Sequence, residues 1–241
     1  RRVDLHRAEK RLTLQVKAIC RRFCDGDKTE AQRLYASMMK DAEHPQAAAA
    51  LAWCAPLLAM RDAVAAPRKA EEKILERAAM SLPVWTYVEP IRGFGPLSLA
   101  QLVGEAGDIG SYAGPAKLWK RFGLAVFNGR AQGRPEKPTK EDWIALGYSA
   151  ERRSILFVIG DNMIKARSPE FREVYDARKA YEIARAPDMK PRVAHLRAKR
   201  YAEKRVLREL WRAWRSAARI EPSPVREAPP ISEPSLAEAA E

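Results

Sequence analysis

Ile91-Arg92-Gly93-Phe94-Gly95-Pro96 sets two glycines around one apolar residue, with proline at the first position of the next apolar run. Glycine can take positive φ and lets another backbone come close, while proline at a helix start gives up an amide that has no partner there anyway. The stretch therefore predicts a tight turn between two short helices, one from the apolar run Leu82 to Val88 and one from Leu97 to Val103. The second helix starts with its free N–H groups aimed outward, where orphan donors and the positive end of the helix dipole favour an anion. The pattern apolar-x-Gly-apolar-Gly is that of a helix-hairpin-helix, which holds a nucleic-acid backbone without reading bases. The plain alternative is an ordinary turn between two helices with convenient glycines.

Upstream, Leu5, Ala8, Leu12, Val16, Ile19 and Phe23 recur at steps of three and four with Arg and Lys between them, predicting an amphipathic helix. Asp25-Gly26-Asp27 ends it. Thr29 with Gln32 predicts a capping box for a short helix through about Lys40. Pro45 opens an alanine-rich helix reaching Val64, and Pro67 opens another, whose Ile74, Leu75, Ala78 and Leu82 lead to the hairpin. This part reads as a scaffold or dimerisation coil.

Downstream, Gly107-Asp108-Ile109-Gly110 closes the second hairpin helix, and Gly114-Pro115 opens one carrying Leu118, Trp119 and Phe122, which Gly123 stops. Asn128 to Pro138 is rich in glycine, proline and cations and predicts a mobile basic loop. Thr139 caps a short helix ending at Gly147. Ser149 caps a strongly apolar one, in which Ile155 to Val158 are expected to be inaccessible to solvent. Ser168-Pro169 opens a helix to about Arg185. After the turn from Pro187 to Pro191 comes the expected longest helix, Arg192 to Arg219. From Lys190 to Arg219 there are eleven Lys or Arg against Glu203 and Glu209, so much of the chain's surplus charge sits in this element. A solvated face on a core helix would look the same by composition. Trp211 and Trp214 are expected to anchor the helix to the core.

The 241 residues are 46% hydrophobic, enough for real cores, and carry 44 Lys and Arg against 31 Asp and Glu, a formal charge of +13. That surplus points to a polyanionic partner. No apolar run is expected to reach the ~20 residues of a spanning helix, so a cytoplasmic, nucleoid-associated protein with no membrane partner is expected. Cys20, Cys24 and Cys54 show no finger spacing and suit a reducing compartment, with no metal and no cofactor expected.

At Gly93-Phe94-Gly95-Pro96, Leu102-Val103-Gly104-Glu105, Gly107-Asp108-Ile109, Lys117-Leu118, Gly123-Leu124 and the Arg152-Arg153 stretch between Gly147 and Leu156, the sequence resembles the carboxy-terminal half of the Piv-like insertion-sequence transposases. These RNA-bridged recombinases join a RuvC-like nuclease domain, through a coiled coil, to a helix-hairpin-helix domain. The likeness covers Arg2 to Ala166. It departs from the family where chemistry is done: no segment before the first helix holds a nuclease carboxylate set, and no serine lies between Ser111 and Ser149. Asn128 stands where the family's nucleophilic serine is expected, and an amide cannot form the phosphoester a serine forms. Thr139 is better explained as a helix cap.

The expected fold is all-α: amphipathic scaffold helices over residues 1–81, a helix-hairpin-helix domain with its basic loop over 82–135, a helical domain ending in the basic helix over 136–219, and a disordered acidic Pro/Ala-rich tail over 220–241. The expected function is gripping duplex DNA, with no catalytic residue of its own. DNA contacts are assigned to Arg92, Gly93, Phe94, Gly95, Lys117, Lys120, Arg130, Arg134, Lys137, Arg197, Arg200, Lys204, Arg208 and Arg212. The chain starts at Arg1 rather than Met, which leaves open the alternative of a piece of an active recombinase with its nuclease upstream. A third reading is an RNA-binding or assembly protein of a mobile element. A homodimer through the N-terminal helices is also expected.

Overall fold

The computed structural model describes residues 1–40, 43–127, 129–133 and 139–220, with backbone alone at positions 130, 143 and 218–220. The fold is all-α, as expected. The helices are α1 (Arg2–Phe23), α2 (Lys28–Lys40), α3 (Ala47–Met80), α4 (Trp85–Val88), α5 (Pro96–Ala106), α6 (Pro115–Arg121), α7 (Lys140–Leu146), α8 (Ala150–Lys165), α9 (Pro169–Arg185) and α10 (Pro191–Ile220). A 3-10 turn lies at Ile109–Ser111, and two-residue strands β1 (Val126–Phe127) and β2 (Arg130–Ala131) form a small antiparallel hairpin.

Two cores result. In the first, Val16 and Cys20 of α1, Leu34 and Met38 of α2, and Ala50, Cys54 and Leu58 of α3 pack together. α1 and α3 run antiparallel, with Arg2 meeting Glu72 and Arg68 meeting Glu9 at one end and Cys20 and Cys54 in the same core at the other. The second core joins Ala79, Phe94, Leu99, Leu102, Leu118 and Phe122 to Leu156, Met163 and Phe171 and to Val206, Leu207 and Leu210. Residues assigned to 82–135 and to 136–219 thus share one interior, and the boundary expected at 135/136 is no gap in packing.

Several helix ends match the sequence reading. Ser149 accepts from the Arg152 amide at 3.3 Å. The Thr139 hydroxyl and the Asp142 carboxylate exchange bonds with each other's amides at 3.2 and 3.0 Å. Gly107, Gly123 and Gly147 take positive φ where helices stop. Trp211 and Trp214 anchor α10 as expected, donating to the Tyr112 carbonyl at 3.0 Å and to Asp108 Oδ1 at 2.9 Å.

Four expectations need correction. The cap of α2 is Asp27, whose Oδ1 accepts from Thr29 and Glu30 amides, because a carboxylate one residue before the helix satisfies two orphan donors that a Thr29 cap would not reach. Pro67 starts no helix: α3 runs through both Pro56 and Pro67 and, at 34 residues, exceeds the 30 of α10. Each proline forfeits one backbone bond, and side-chain burial along the α1 seam holds the helix through the gap. Of Ile155 to Val158 only Leu156 is buried, whereas Phe157 is 40% and Val158 52% exposed. The core-facing stripe of α8 is Leu156, Ile159 and Met163 at helical spacing. Finally, α3 is long and apolar enough to cross a membrane by length and composition, its best window having mean hydropathy 1.3. Alanines and leucines together supply that apolarity, and the face bearing Ala50, Cys54 and Leu58 is packed on α1 and α2. The tail from Glu221 onward lies outside the described residues.

Candidate nucleic-acid interface

At the hairpin between α4 and α5, the two glycines do different work. Gly93 has φ +85°, and a Cβ on it would lie 2.6 Å from the Asn162 carbonyl carbon and oxygen and 2.8 Å from the Met163 amide nitrogen. The turn is seated backbone to backbone on α8, and only a residue without Cβ permits that. Gly95 is exposed, with φ −81° and ψ 173°, and a Cβ there would meet nothing within 4 Å. The α5 start is thus open. Among the described residues, the amides of Gly95, Leu97 and Ser98 meet no acceptor, and Arg92 is exposed beside them. Phe94 corrects its assignment as a DNA contact: it is a fully buried core residue. Gly93 is likewise a packing position whose Cα faces α8.

The basic helix divides its cations between interior and surface. Lys199 is buried, its Nζ 3.2 Å from the Phe157 ring centroid and 3.3 Å from Asp161 Oδ1, and burial lowers its pKa. This pairing accounts for the half-exposed Phe157, whose ring covers a charge rather than an apolar neighbour. Arg200 is also turned inward, against its assignment as a DNA contact. Its Nη2 donates to the carbonyls of Gly123 and Ala125 at 2.9 and 3.2 Å, tying the base of the β-hairpin to α10. Gln132, itself buried, completes the tie. It donates to the Lys120 and Leu146 carbonyls at 3.1 and 2.7 Å and accepts from the Ala125 amide at 3.1 Å.

Glu203 is fully buried under α8, with Arg153 Nη2 2.8 Å from its Oε2 at an angle that makes an ion contact rather than a hydrogen bond. Burial pushes its carboxyl up to about 7 in spite of Arg153, Lys199 and Arg200. Gly160 makes room for it, since a Cβ at that position would stand 2.9 Å from Glu203 Cγ.

A cleft of about 540 Å³ opens between the β-hairpin, α9 and α10. Arg178, Arg185, Arg197, Arg200 and Lys204 line it with one acid, Glu182. Burial raises the Glu182 carboxyl, but hydrogen bonds from Arg197 and Arg178 outweigh that and leave it below its ordinary value, so it is an anion held by cations. The local balance of five cations to one carboxylate leaves a strongly positive concavity. Farther along α10, Glu209 is shared by Arg205 at 3.5 Å, Arg208 at 2.9 Å and Arg212 at 3.2 Å, again an excess of positive charge. Lys204 Nζ lies 5.2 Å from the Trp119 ring, whose indole N–H donates to the Lys204 carbonyl at 3.0 Å.

Of the residues assigned to DNA contact, Arg197, Arg200 and Lys204 are brought together in the cleft. Arg208 and Arg212 extend the same helix beyond it, and Lys117 and Lys120 are exposed on α6, Lys120 5.6 Å from the Phe127 ring. Arg134 and Lys137 lie outside the described residues, and Arg130 is described by its backbone alone. Sequence reasoning missed Arg178, Arg185, Tyr181 and Tyr201. The signal was present on α9, where Arg178 and Arg185 stand seven residues apart, two turns along one face. Among the described residues no group of three or more His, Cys, Asp or Glu is placed to hold a metal ion. No family model, curated protein or solved structure matches this chain.

Proposed function

We propose that this chain binds duplex DNA by its backbone, as a transposase-derived protein that carries the gripping part of the Piv-like family and no nuclease centre of its own. The observation that carries the reading is the convergence of Arg178, Arg185, Arg197 and Lys204 on one cleft with a single carboxylate among them. Cations brought together against their mutual repulsion are what a polyphosphate partner relieves, through release of its counterions. The open α5 start supports a second backbone contact, with three unpaired amides and Arg92 beside them. Both surfaces address phosphates, so binding is expected to be insensitive to sequence. The resemblance over the hairpin and the glycines after it points the same way. The site of action proposed is the nucleoid.

The test is a salt series with a random duplex, comparing wild type with a variant carrying Arg197→Gln, Lys204→Gln and Arg208→Gln. Arg200 is left in place because it holds the hairpin. Each lost phosphate contact lowers the log-log salt slope by roughly 0.9, so the variant should fall by about 2 to 3. An unchanged slope would make the basic helix a solvated face and refute the proposal.

A further inference from the structure

Resting on that nucleic-acid reading, we infer that the cleft between the β-hairpin and α9–α10 seats an unpaired DNA strand, with its bases on Tyr181 and Tyr201. The shape is the first reason. The cleft is a concave groove with Val126, Gly129 and Ala131 of the hairpin in its wall, and its volume of about 540 Å³ is room for a few rings. A duplex is convex, with bases stacked inside, and can lay only one edge of backbone against such a mouth. A single strand can enter it.

The aromatic lining is the second reason. Tyr201 borders the cleft and also a neighbouring hollow of about 310 Å³ that it shares with Tyr181, Arg178 and Arg205. A smaller hollow beside Trp119 and Lys204 again has Tyr201 in its wall. Cations and rings therefore line three hollows that have Tyr201 in common. Grooves that hold single strands are built this way, with charges tracking the backbone while π-faces take bases of any sequence.

Pre-ordering is the third reason. Tyr181 is 51% and Tyr201 43% exposed, so neither ring is there to fill a core. Both are nonetheless oriented: the Arg178 guanidinium lies 4.7 Å from the Tyr181 centroid and 4.9 Å from that of Tyr201, and Glu182 holds the guanidinium in turn. Rings fixed before the ligand arrives lose little freedom on binding it. In a duplex, by contrast, bases could reach these rings only after unstacking.

The experiment measures affinities of the full chain by fluorescence anisotropy in one salt, using labelled oligo(dT), oligo(rU) of the same length and a random duplex. The proteins are wild type, a variant with Tyr181→Ala and Tyr201→Ala, and one with both changed to Phe. Oligo(dT) should bind at least as tightly as the duplex. The alanine pair should weaken it tenfold or more and at least fivefold more than it weakens the duplex, and the phenylalanine pair should restore it, since stacking needs the ring and not the hydroxyl. If the duplex binds but the alanine pair leaves oligo(dT) unchanged, or weakens both ligands equally, the strand inference fails while the duplex reading stands. If oligo(rU) binds tenfold tighter than oligo(dT), the assignment to DNA fails. Binding of none of the three would overturn both this inference and the duplex reading on which it rests.

Discussion

Replacing Gly93 by alanine separates the two glycines of the hairpin by their physics. The added Cβ would stand 2.6 Å from the Asn162 carbonyl and 2.8 Å from the Met163 amide, both backbone atoms of α8. Neither can swing away as a side-chain tip would, so the turn or the helix must shift by more than half an ångström. Positive φ for an L-residue costs about 1–2 kcal/mol, and forcing an extra carbon into a packed contact costs about 1–3 kcal/mol. Gly93→Ala should therefore lose roughly 2–5 kcal/mol, which in a chain of this size lowers Tm by roughly 5–15 °C. Gly95→Ala has ordinary φ and open space, so it should cost less than about 1 kcal/mol, the scale of a weakened helix cap. Urea unfolding followed by circular dichroism gives both values side by side. Equal stability of Gly93→Ala and wild type would mean that the hairpin is not seated on α8, and the account of the second core would fall with it.

Other perturbations reach the buried acid, the hairpin clamp and the chemistry. Burial raises the Glu203 carboxyl to about 7, so the native state keeps a proton that the unfolded chain releases near 4.5; this group's contribution is complete below about 4.5 and lost as pH rises to about 7, a fall of about 3 kcal/mol at most. Glu203→Gln should flatten that part of the pH–stability curve, and an unaltered slope would assign it to another group. Gln132→Ala breaks three bonds to backbone groups and should cost about 2–4 kcal/mol, with faster amide exchange in the β-hairpin; unchanged exchange would refute its role as a clamp. The purified chain should not nick supercoiled plasmid with added Mg²⁺ or Mn²⁺, and nicking abolished by one carboxylate substitution or by Thr139→Ala would overturn the reading of a grip without a blade.

Local features were legible wherever one residue satisfies one backbone need. The caps Ser149 and Thr139 and the stop glycines 107, 123 and 147 were read correctly because caps and positive φ are decided within a turn of chain. The tryptophan anchors of α10 were legible because large amphipathic rings on an otherwise charged helix have few other uses. The continuity of α3 was not legible, because Pro67 suits a helix start and is unfavourable in a helix interior, where only packing against α1 offsets the lost bond. Nor was the fate of each cation on α10. Lys199, Arg200 and Arg197 lie within one helical turn and look alike in sequence, yet one lies under Phe157, one ties down a hairpin and one faces the cleft. The cleft needs α9, and which face of α9 meets α10 is a tertiary fact.

The unbroken course of α3 has a mechanical consequence. It contributes Ala50, Cys54 and Leu58 to one core and Ala79 to the other, so a single rod of about 50 Å fixes both the distance and the rotational phase between them. Deleting one residue midway would turn the α1–α2 end by about 100° about the rod axis and draw it in by only about 1.5 Å. Inserting seven would lengthen the reach by roughly 10 Å and leave the phase almost unchanged. Whatever surface the α1–α2 end presents is thereby clocked to the basic cleft at the other, and the two can be detuned independently, one by angle and the other by length.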